Sequence, residues 1–497
     1  MSRLRFVLLS LFVLSDACAA VLVAAPPPKI AAPRVSIVLS KTVQTEPFTG
    51  RVFVFFSKEP ITGVARQNWF KPHPFFAQDV VKLAPETPHA FKAEVGLPAA
   101  FAEMEPGKYH VQAIVDRDLG GQSALSAAGN LFSKPAQVEL GAPAATLTLV
   151  VDQVVPVKKF VESERVKLVD IPSGLLTKFH GKPIRLRAAV LLPKSYAEKT
   201  DARYPVIYEI PGFSGDHHHF SGAEKRNATE VAGVEMIHVT LDPSCRLGHH
   251  VFADSANNGP CGQALIEELI PVVEQRYRAV ASPHGRFVTG HSSGGWSSLW
   301  LQVTYPDTFG GCWSTAPDSV DFRDFQLVNI YPKGTNLLFD EKRERRPLGR
   351  RSGKPVLYYK PFSDMEVVLG RGGQLFSFEA VFSPKGKDGK PAPLYDHRTG
   401  AIDPEVAEAW KKYDINLVLR EKWKTIGPRL GGKIHIYMGG EDTFYLDGAT
   451  RLVQKTLKEL GSDAVVEIFP GKDHGTLMTG ELRQRIAREM AAAYSRK

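Results

Sequence analysis

Beyond its first residues the 497-residue sequence has no long apolar run, which excludes a membrane span in the mature chain. The apolar run within those first residues, 6–14, is also too short to cross a bilayer. It follows Arg3 and Arg5 and precedes small residues, an arrangement typical of an export signal. We therefore interpret residues 1–25 as a signal peptide and expect a secreted or periplasmic protein. An uncleaved anchor is the alternative.

The sequence also has no strong excess of one charge. Its 62 basic and 53 acidic residues give a net charge of +9, and these charges are spread along the chain. No nucleic-acid partner is therefore expected. The one charged cluster, residues 340–346, is interpreted as solvated surface, and a role toward an anionic substrate is the alternative.

Cysteine is scarce, with four residues in the chain and three after the predicted signal. An oxidising compartment permits one disulfide, and we predict Cys245–Cys261 because a loop segment joins these two residues. Three buried thiols are the alternative. The histidines at 217–219 and 249–250 lack the companion ligands and spacing of a metal site, so we expect neither metal nor cofactor.

Short β-like runs separated by turns fill residues 35–155. Apolar and polar residues alternate over 109–115, and the turn before Tyr109 resembles that of immunoglobulin-like sandwiches. The sequence therefore predicts an N-terminal all-β sandwich domain, immunoglobulin-like, over residues 26–156. Four aromatic residues in and after a proline-punctuated stretch are interpreted as interface fillers, with carbohydrate contact as the alternative: Trp69, Phe70, Phe75 and Phe76.

From about Lys158 onward, apolar strands alternate with helical segments. The continuous apolar run at 204–210 is typical of a strand inside a parallel sheet. This alternation predicts a doubly wound α/β sheet in a catalytic domain over residues 157–497. Residues 318–430 interrupt the alternation and are too many for a loop, so we predict a cap over the site.

Residues 286–295 join an apolar run to Gly-x-Ser-x-Gly, and a helical segment follows. Strand, sharp turn and helix in this order are typical of a nucleophile elbow, which exposes its serine at the end of a strand. Ser292 is therefore the predicted nucleophile. The helix N-terminus beneath it favours a developing oxyanion.

A serine nucleophile needs a base and a group that orients the base. In hydrolases built on this elbow, the chain order is serine, acid, histidine. Asp442 follows the predicted strand at 433–439, and His474 follows the next one at 464–469. We predict a triad of Ser292, Asp442 and His474, with Glu441 and Asp447 as alternative acids.

An oxyanion hole needs two N–H donors, one from the residue after the nucleophile and one from the loop after an earlier strand. Ser293 holds the first of these positions. The loop Pro211-Gly212-Phe213 follows the strand at 204–210. We therefore predict the N–H groups of Phe213 and Ser293 as the oxyanion hole.

Four segments together carry a family resemblance: Tyr-Pro-Val-Ile-Tyr at 204–208 running into Pro-Gly-Phe at 211–213, Glu-Leu-Ile-Pro at 268–271, and Gly-His-Ser-Ser-Gly-Gly at 290–295. Together they resemble the esterase D-like (putative-esterase) family of the α/β-hydrolase superfamily, which includes feruloyl, acetylxylan and enterochelin esterases and mycolyltransferases. The resemblance covers about residues 180–317 and 430–490. Pro211 is a departure, because many relatives carry histidine there, and the insertion is another.

These residues and the resemblance predict a secreted serine hydrolase that cleaves carboxylic esters through an acyl-enzyme. Its substrate is expected to be a small-molecule or carbohydrate-linked ester. An acyltransferase or peptidase with the same triad is one alternative. A non-catalytic binding protein on a hydrolase fold is another, and the complete triad in the expected order argues against it.

Overall fold

The structure of the protein is a computed structural model that describes residues 31–141 and 143–496. The predicted signal peptide, residues 1–25, lies outside these described residues. Within the described ranges, no helix combines the length and the hydropathy that a membrane span requires.

Residues 34–154 contain a nine-stranded sheet, so the N-terminal region is β-rich as predicted. Its strands are β1 (Arg34–Leu39), β2 (Phe48–Ser57), β3 (Phe75–Leu83), β4 (His89–Ala90), β5 (Val95–Leu97), β6 (Gly107–Asp116), β7 (Leu131–Ser133), β8 (Ala136–Leu140) and β9 (Thr146–Val154).

Residues 52–56 of strand β2 are apolar without interruption because both faces of the strand are buried there. Successive side chains in a strand point to opposite faces. Val54 and Phe56 therefore pack into the core of the N-terminal region. Phe53 and Phe55 face the other way and join a larger core that continues into the rest of the chain.

The remaining chain alternates strands and helices. Its strands are β10 (Val166–Pro172), β11 (Arg185–Leu191), β12 (Val206–Ile210), β13 (Glu230–Val231), β14 (Val234–Glu235), β15 (Ile237–Leu241), β16 (Ser244–Cys245), β17 (Gly248–His249), β18 (Asp254–Ser255), β19 (Gly259–Pro260), β20 (Arg286–His291), β21 (Gly311–Thr315), β22 (Pro347–Arg351), β23 (Lys354–Tyr358), β24 (Ile434–Gly439) and β25 (Val465–Phe469). Its helices are α1 (Gly174–His180), α2 (Phe220–Lys225), α3 (Cys261–Ala264), α4 (Ile270–Arg276), α5 (Ser293–Thr304), α6 (Tyr359–Leu369), α7 (Gln374–Phe382), α8 (Pro404–Trp410), α9 (Ile415–Leu430), α10 (Asp447–Glu459) and α11 (Gly480–Ser495).

Eight of these strands form one mixed sheet in the order β10-β11-β15-β12-β20-β21-β24-β25. The first two pairings are antiparallel, and the other five are parallel. Parallel strands bring their carboxyl ends to one edge of the sheet, where ligands of open α/β sheets bind. The loops after β12, β20, β21, β24 and β25 therefore meet at that edge.

The helical segment after β19 consists of two pieces, α3 and α4, joined by a π-helical turn at Leu265–Leu269. Pro271 has no backbone N–H and cannot donate the hydrogen bond that a continuous α-helix requires there.

Residues 318–430 hold α6 to α9 and the hairpin β22–β23, so this segment is folded rather than loop-like. Its side chains pack on the core of the sheet, where the Trp296 ring of α5 meets Phe382 of α7 with centroids 5.1 Å apart. Trp410 packs against the same phenylalanine at 5.1 Å. The segment is therefore continuous with the main core, and several of its residues reach the edge described above.

Candidate active site

Ser292 lies at the turn between β20 and α5 with φ 59° and ψ −125°. A non-glycine residue at positive φ is strained, by about 1–3 kcal/mol, and such strain persists only where the surrounding structure imposes it. Here the constraint is close packing. A Cβ added to Gly290 would lie 2.2 Å from the backbone oxygen of Gly294, and one added to Gly294 would lie 1.9 Å from that of Ile210. Both motif glycines are therefore required sterically.

His474 and Asp442 lie on the loops after β25 and β24, and their side chains are paired. The Nδ1 of His474 lies 2.7 Å from Oδ2 of Asp442, whose carboxylate is fully buried. The other oxygen, Oδ1, accepts a hydrogen bond from the N–H of Phe444 at 2.9 Å. Burial lowers the pKa of His474, but the carboxylates of Asp442, Asp318 and Asp473 together outweigh burial, so the net shift of this pKa is upward.

The two alternative acids lie elsewhere. Glu441 is exposed. Asp447 accepts a hydrogen bond from Arg350 Nη2 at 2.7 Å, so its carboxylate is engaged away from the imidazole. Of the three candidates that the sequence offered, Asp442 is the one whose carboxylate contacts His474.

Ser292 and His474 line one cavity of about 280 Å³. The Ser292 hydroxyl donates to Oδ1 of Asp318 at 3.4 Å. Catalytic hydrogen bonds are often long or misaligned before substrate binds. The cavity is otherwise largely apolar, and its further lining residues are Trp69, Gly212, Phe213, His291, Asp318, Gln326, Leu348, Leu357, Phe362, Gln374, Leu375, Phe378 and Phe444.

Phe213 and Ser293, the predicted oxyanion donors, lie on either side of the nucleophile. Phe213 is in the loop after β12 and lines the cavity, while Ser293 opens α5. The loop is close to the serine, since a Cβ added to Gly212 would lie 3.4 Å from Cβ of Ser292. The loop that carries Phe213 is therefore close to Ser292, and Ser293 follows Ser292 directly in the chain.

His249 was missed by the sequence analysis, which interpreted it only as one of two adjacent histidines. Its Nε2 donates to the backbone oxygen of Pro211 at 2.9 Å, and its Nδ1 accepts from the N–H of Val251 at 3.1 Å. Burial lowers the pKa of His249 to about 4, so the ring is neutral near pH 7. The hydrogen bond from His249 to Pro211 restrains the loop that carries Phe213.

Asp318 was also missed, although it occupies an informative position just beyond β21, the strand beside the elbow strand. Its Oδ2 accepts a hydrogen bond from Ser293 Oγ at 2.6 Å, and the side-chain amide of Gln374 lies 3.5 Å away. Burial, and then the charge of Asp442, raise the pKa of Asp318 to about 6 despite the hydrogen bond from Ser293.

The predicted Cys245–Cys261 disulfide is not formed in the structure, where both residues are free thiols. Each thiol instead contacts Asn258: Cys245 Sγ lies 3.6 Å from its Oδ1, and Cys261 Sγ lies 3.4 Å from its backbone oxygen. Burial raises the pKa of Cys245 to about 12, which suppresses the thiolate needed for exchange. Among the described residues, no three His, Cys, Asp or Glu side chains form a metal-binding group.

The sequence matches the model of the family described as "Putative esterase" over residues 183–474, more than half of the chain. A comparison with curated proteins finds no match. Similar solved structures include a ferulic acid esterase, at 15% identity over 66% of this chain and 98% of that one, with a TM-score of 0.38. An S-formylglutathione hydrolase from Agrobacterium tumefaciens has 15% identity over 66% and 95%, with a TM-score of 0.42. The fluorophosphonate-binding serine hydrolase FphF from Staphylococcus aureus has 14% identity over 67% and 99%, with a TM-score of 0.40.

These structural likenesses are too distant to carry an argument, and the assignment rests on the family match. That match spans β12, the elbow and the loops of Asp442 and His474. The chain therefore belongs to the putative esterase family and is an enzyme of the carboxylic-ester hydrolase class.

Proposed function

We propose that the protein cleaves its ester through a Ser292-His474-Asp442 triad and a covalent acyl-enzyme. The observation that carries this proposal is the 2.7 Å pairing of His474 with the buried Asp442 in the cavity that also holds Ser292. A carboxylate on Nδ1 fixes the tautomer that leaves Nε2 as an acceptor, which is the atom a general base needs.

In the first step Ser292 Oγ attacks the ester carbonyl carbon, and its proton passes to Nε2 of His474. The tetrahedral intermediate then collapses, the bond to the alcohol oxygen breaks, and His474 returns the proton to that oxygen. Water repeats the sequence on the acyl-enzyme and releases the acid. No cofactor enters these steps, and the raised pKa of His474 favours its protonated form in the intermediate.

The negative oxygen of each tetrahedral intermediate is assigned to the N–H groups of Phe213 and Ser293. Donors fixed by the fold before reaction stabilise such charge most strongly, because they need no reorganisation. The bond from His249 to Pro211 supports this assignment, since it restrains the donor loop from behind.

We further infer the organisation of the whole chain. Residues 157–497 are the catalytic domain, an α/β-hydrolase with a doubly wound sheet, and residues 318–430 cap its site. Residues 26–156 are an immunoglobulin-like sandwich domain. The sequence pattern of residues 1–25 supports export, which makes a small-molecule or carbohydrate-linked ester outside the cytoplasm the proposed substrate.

Labelling with a fluorophosphonate probe tests the triad. Wild-type protein is expected to react with the probe, and Ser292→Ala is expected not to react. The kcat of Ser292→Ala for p-nitrophenyl acetate is expected to fall at least 1,000-fold, because removal of a triad member lowers kcat by a factor on the order of 10⁴ or more. Ser297→Ala is the matched control, a buried serine one turn along α5 whose hydroxyl bonds to the backbone oxygen of Ser293. Persistent labelling of a folded Ser292→Ala protein would contradict the proposal.

A further inference from the structure

We propose that Trp69, from the N-terminal region, is a specificity-determining residue of the esterase: it forms the wall against which the acyl group of the substrate packs, and so favours large planar acyl groups over acetyl. This inference rests on the proposed function of Ser292. It adds a residue more than 80 positions before the family match begins at residue 183.

Trp69 occupies the centre of an aromatic wall made of four rings that line the cavity: Trp69, Phe213, Phe362 and Phe444. Its ring centroid lies 5.7 Å from that of Phe213, 5.2 Å from that of Phe362 and 6.2 Å from that of Phe444. These separations are in the range of favourable aromatic pairs. Phe444 in turn lies 5.1 Å from the imidazole of His474. The indole therefore touches the oxyanion loop, the insertion and the acid loop at once.

The loop that carries Trp69 is held in place by specific hydrogen bonds. Gln67 and His73 bracket the tryptophan, with the Gln67 side chain accepting from the N–H of His73 at 2.9 Å and donating to its carbonyl at 2.8 Å. Earlier in the same loop, the buried Gln112 side chain accepts from the N–H of Ala65 at 2.8 Å and donates to the carbonyl of Gly63 at 2.9 Å. A wall fixed in this way loses little entropy when a ligand packs on it.

The cavities on the two sides of the oxyanion loop differ in their lining residues, and on that basis we assign one cavity to the acyl part of the ester and the other to its alcohol part. On one side is the apolar cavity with Ser292 and the aromatic wall. On the other lies an open cavity of about 430 Å³ with charged lining residues that include Lys158, Glu209 and Arg226. Gly212 and His291 line both cavities, so the two meet beside the nucleophile. The apolar acyl group fits the first cavity, and a polar alcohol fits the second.

The experiment compares kcat/KM for p-nitrophenyl trans-cinnamate, whose acyl group is planar, and p-nitrophenyl acetate, two esters that share a leaving group. In Trp69→Ala the ratio of the first to the second is expected to fall about tenfold, since packing and contact with one aromatic ring are lost. Trp69→Phe, which keeps a ring at the wall, is expected to stay within about threefold of wild type. Phe179→Ala is the control, because Phe179 lies on α1, is 40% exposed, is not among the cavity-lining residues and has its aromatic contact with His180 rather than with the wall.

Fluorophosphonate labelling of each variant shows whether Ser292 remains reactive. If Trp69→Ala does not fold, the same comparison is made with Trp69→Leu, which keeps an apolar side chain but has no planar ring. If a labelled variant keeps the wild-type ratio of the two kcat/KM values, or loses kcat/KM equally on both esters, the inference about Trp69 is wrong while the proposed function stands. A folded wild-type protein that neither labels nor hydrolyses either ester would overturn the proposed function, and this inference with it.

Discussion

At the scale of single residues, Asp318 adds a second carboxyl to a site that already has one. Its Oδ1 is 3.4 Å from the nucleophile oxygen, and its Oδ2 is held by Ser293. With its pKa raised to about 6 by burial, this carboxyl is ionised at neutral pH. Its negative charge then acts with that of Asp442 to raise the pKa of His474.

The pH profile of kcat/KM is expected to report this arrangement. His474 must be neutral to accept a proton, so activity falls as the pH drops through its pKa, which lies above the ordinary value of about 6.5. Asp318→Asn removes a negative charge beside the imidazole and lowers that pKa. The acid limb of kcat/KM for p-nitrophenyl acetate should therefore move to lower pH.

Glu341→Gln is the control for this shift, because the carboxylate of Glu341 is 88% exposed on the charged cluster and far along the insertion. It should leave the acid limb where it is. An acid limb that stays unchanged or moves to higher pH in Asp318→Asn would show that Asp318 does not act on His474.

At the scale of elements, the loop after β12, which carries the proposed oxyanion donor Phe213, is restrained by a hairpin that is distant in sequence. His249 is the last residue of β17, and its ring reaches the backbone oxygen of Pro211. The backbone N–H of the same residue donates to Ser377 Oγ at 2.9 Å, and this hydrogen bond connects the hairpin to α7 of the insertion. The loop after β12 is thus positioned through two further elements.

His249→Phe is expected to lower kcat by roughly tenfold to a hundredfold with little change in KM, because oxyanion contacts strengthen in the transition state. His249→Gln, whose amide can still donate, should recover part of this loss. Steady-state kinetics with p-nitrophenyl acetate would measure both values. The neighbouring buried histidine supplies the control, since His250 Nδ1 accepts from the N–H of Phe252 and does not contact the loop.

His250→Phe should therefore keep kcat near the wild-type value. A rise in KM with unchanged kcat in His249→Phe would contradict the positioning role and indicate a residue that acts in ground-state binding.

The strands, and the positions of Ser292, Asp442 and His474 directly after them, could be predicted because their signals are local, while the catalytic roles of these three residues stay a prediction. The Gly-x-Ser-x-Gly pattern fixes the elbow sterically, and Asp442 and His474 each follow an apolar strand directly. The structure brings these two within 2.7 Å. His249, Asp318 and Gln374 carry no local signal, because their contacts depend on how a hairpin and the insertion pack on the sheet. The predicted disulfide failed for a related reason: sequence separation does not reveal that both thiols contact Asn258.

At the scale of the whole molecule, a buried ion pair joins the N-terminal region to the insertion. The Arg371 guanidinium makes two hydrogen bonds of 2.7 Å to the carboxylate of Asp116, and both side chains are less than a tenth exposed. Beside it, Gly372 has φ +73°, and a Cβ there would lie 2.0 Å from the backbone oxygen of Gln122. The glycine-rich stretch at 370–373 therefore packs against the N-terminal region, and the next residue, Gln374, lines the cavity of the candidate active site.

Arg371→Leu is expected to destabilise the protein by about 3–5 kcal/mol, because it leaves the Asp116 carboxylate buried without its partner. The apparent Tm, measured at one fixed scan rate, should fall by several degrees. Activity should fall as well, since the loop before Gln374 loses its anchor.

Lys58→Ala serves as the comparison for this change, because Lys58 and Glu105 form a pair that is more than half exposed on both sides. Such surface pairs contribute about 0–1 kcal/mol, so its Tm should stay close to that of wild type. Equal Tm values for Arg371→Leu and wild type would contradict this role and mean that other contacts hold the two regions together, such as the hydrogen bonds from Arg51 Nη1 to the backbone oxygens of Val367 and Val368.

The aromatic wall has a consequence for how selectivity can change in this protein. Its four rings pack on one another but come from four separate stretches of chain, so each stretch can vary in sequence without a change in the other three. Two of them, Phe213 and Phe444, belong to the loops that carry the proposed oxyanion donor and the proposed acid, so a substitution there is expected to affect the reaction itself. Trp69 and Phe362 belong to neither loop. Variation at these two positions would let an enzyme acquire new acyl preferences while its reaction machinery stays intact.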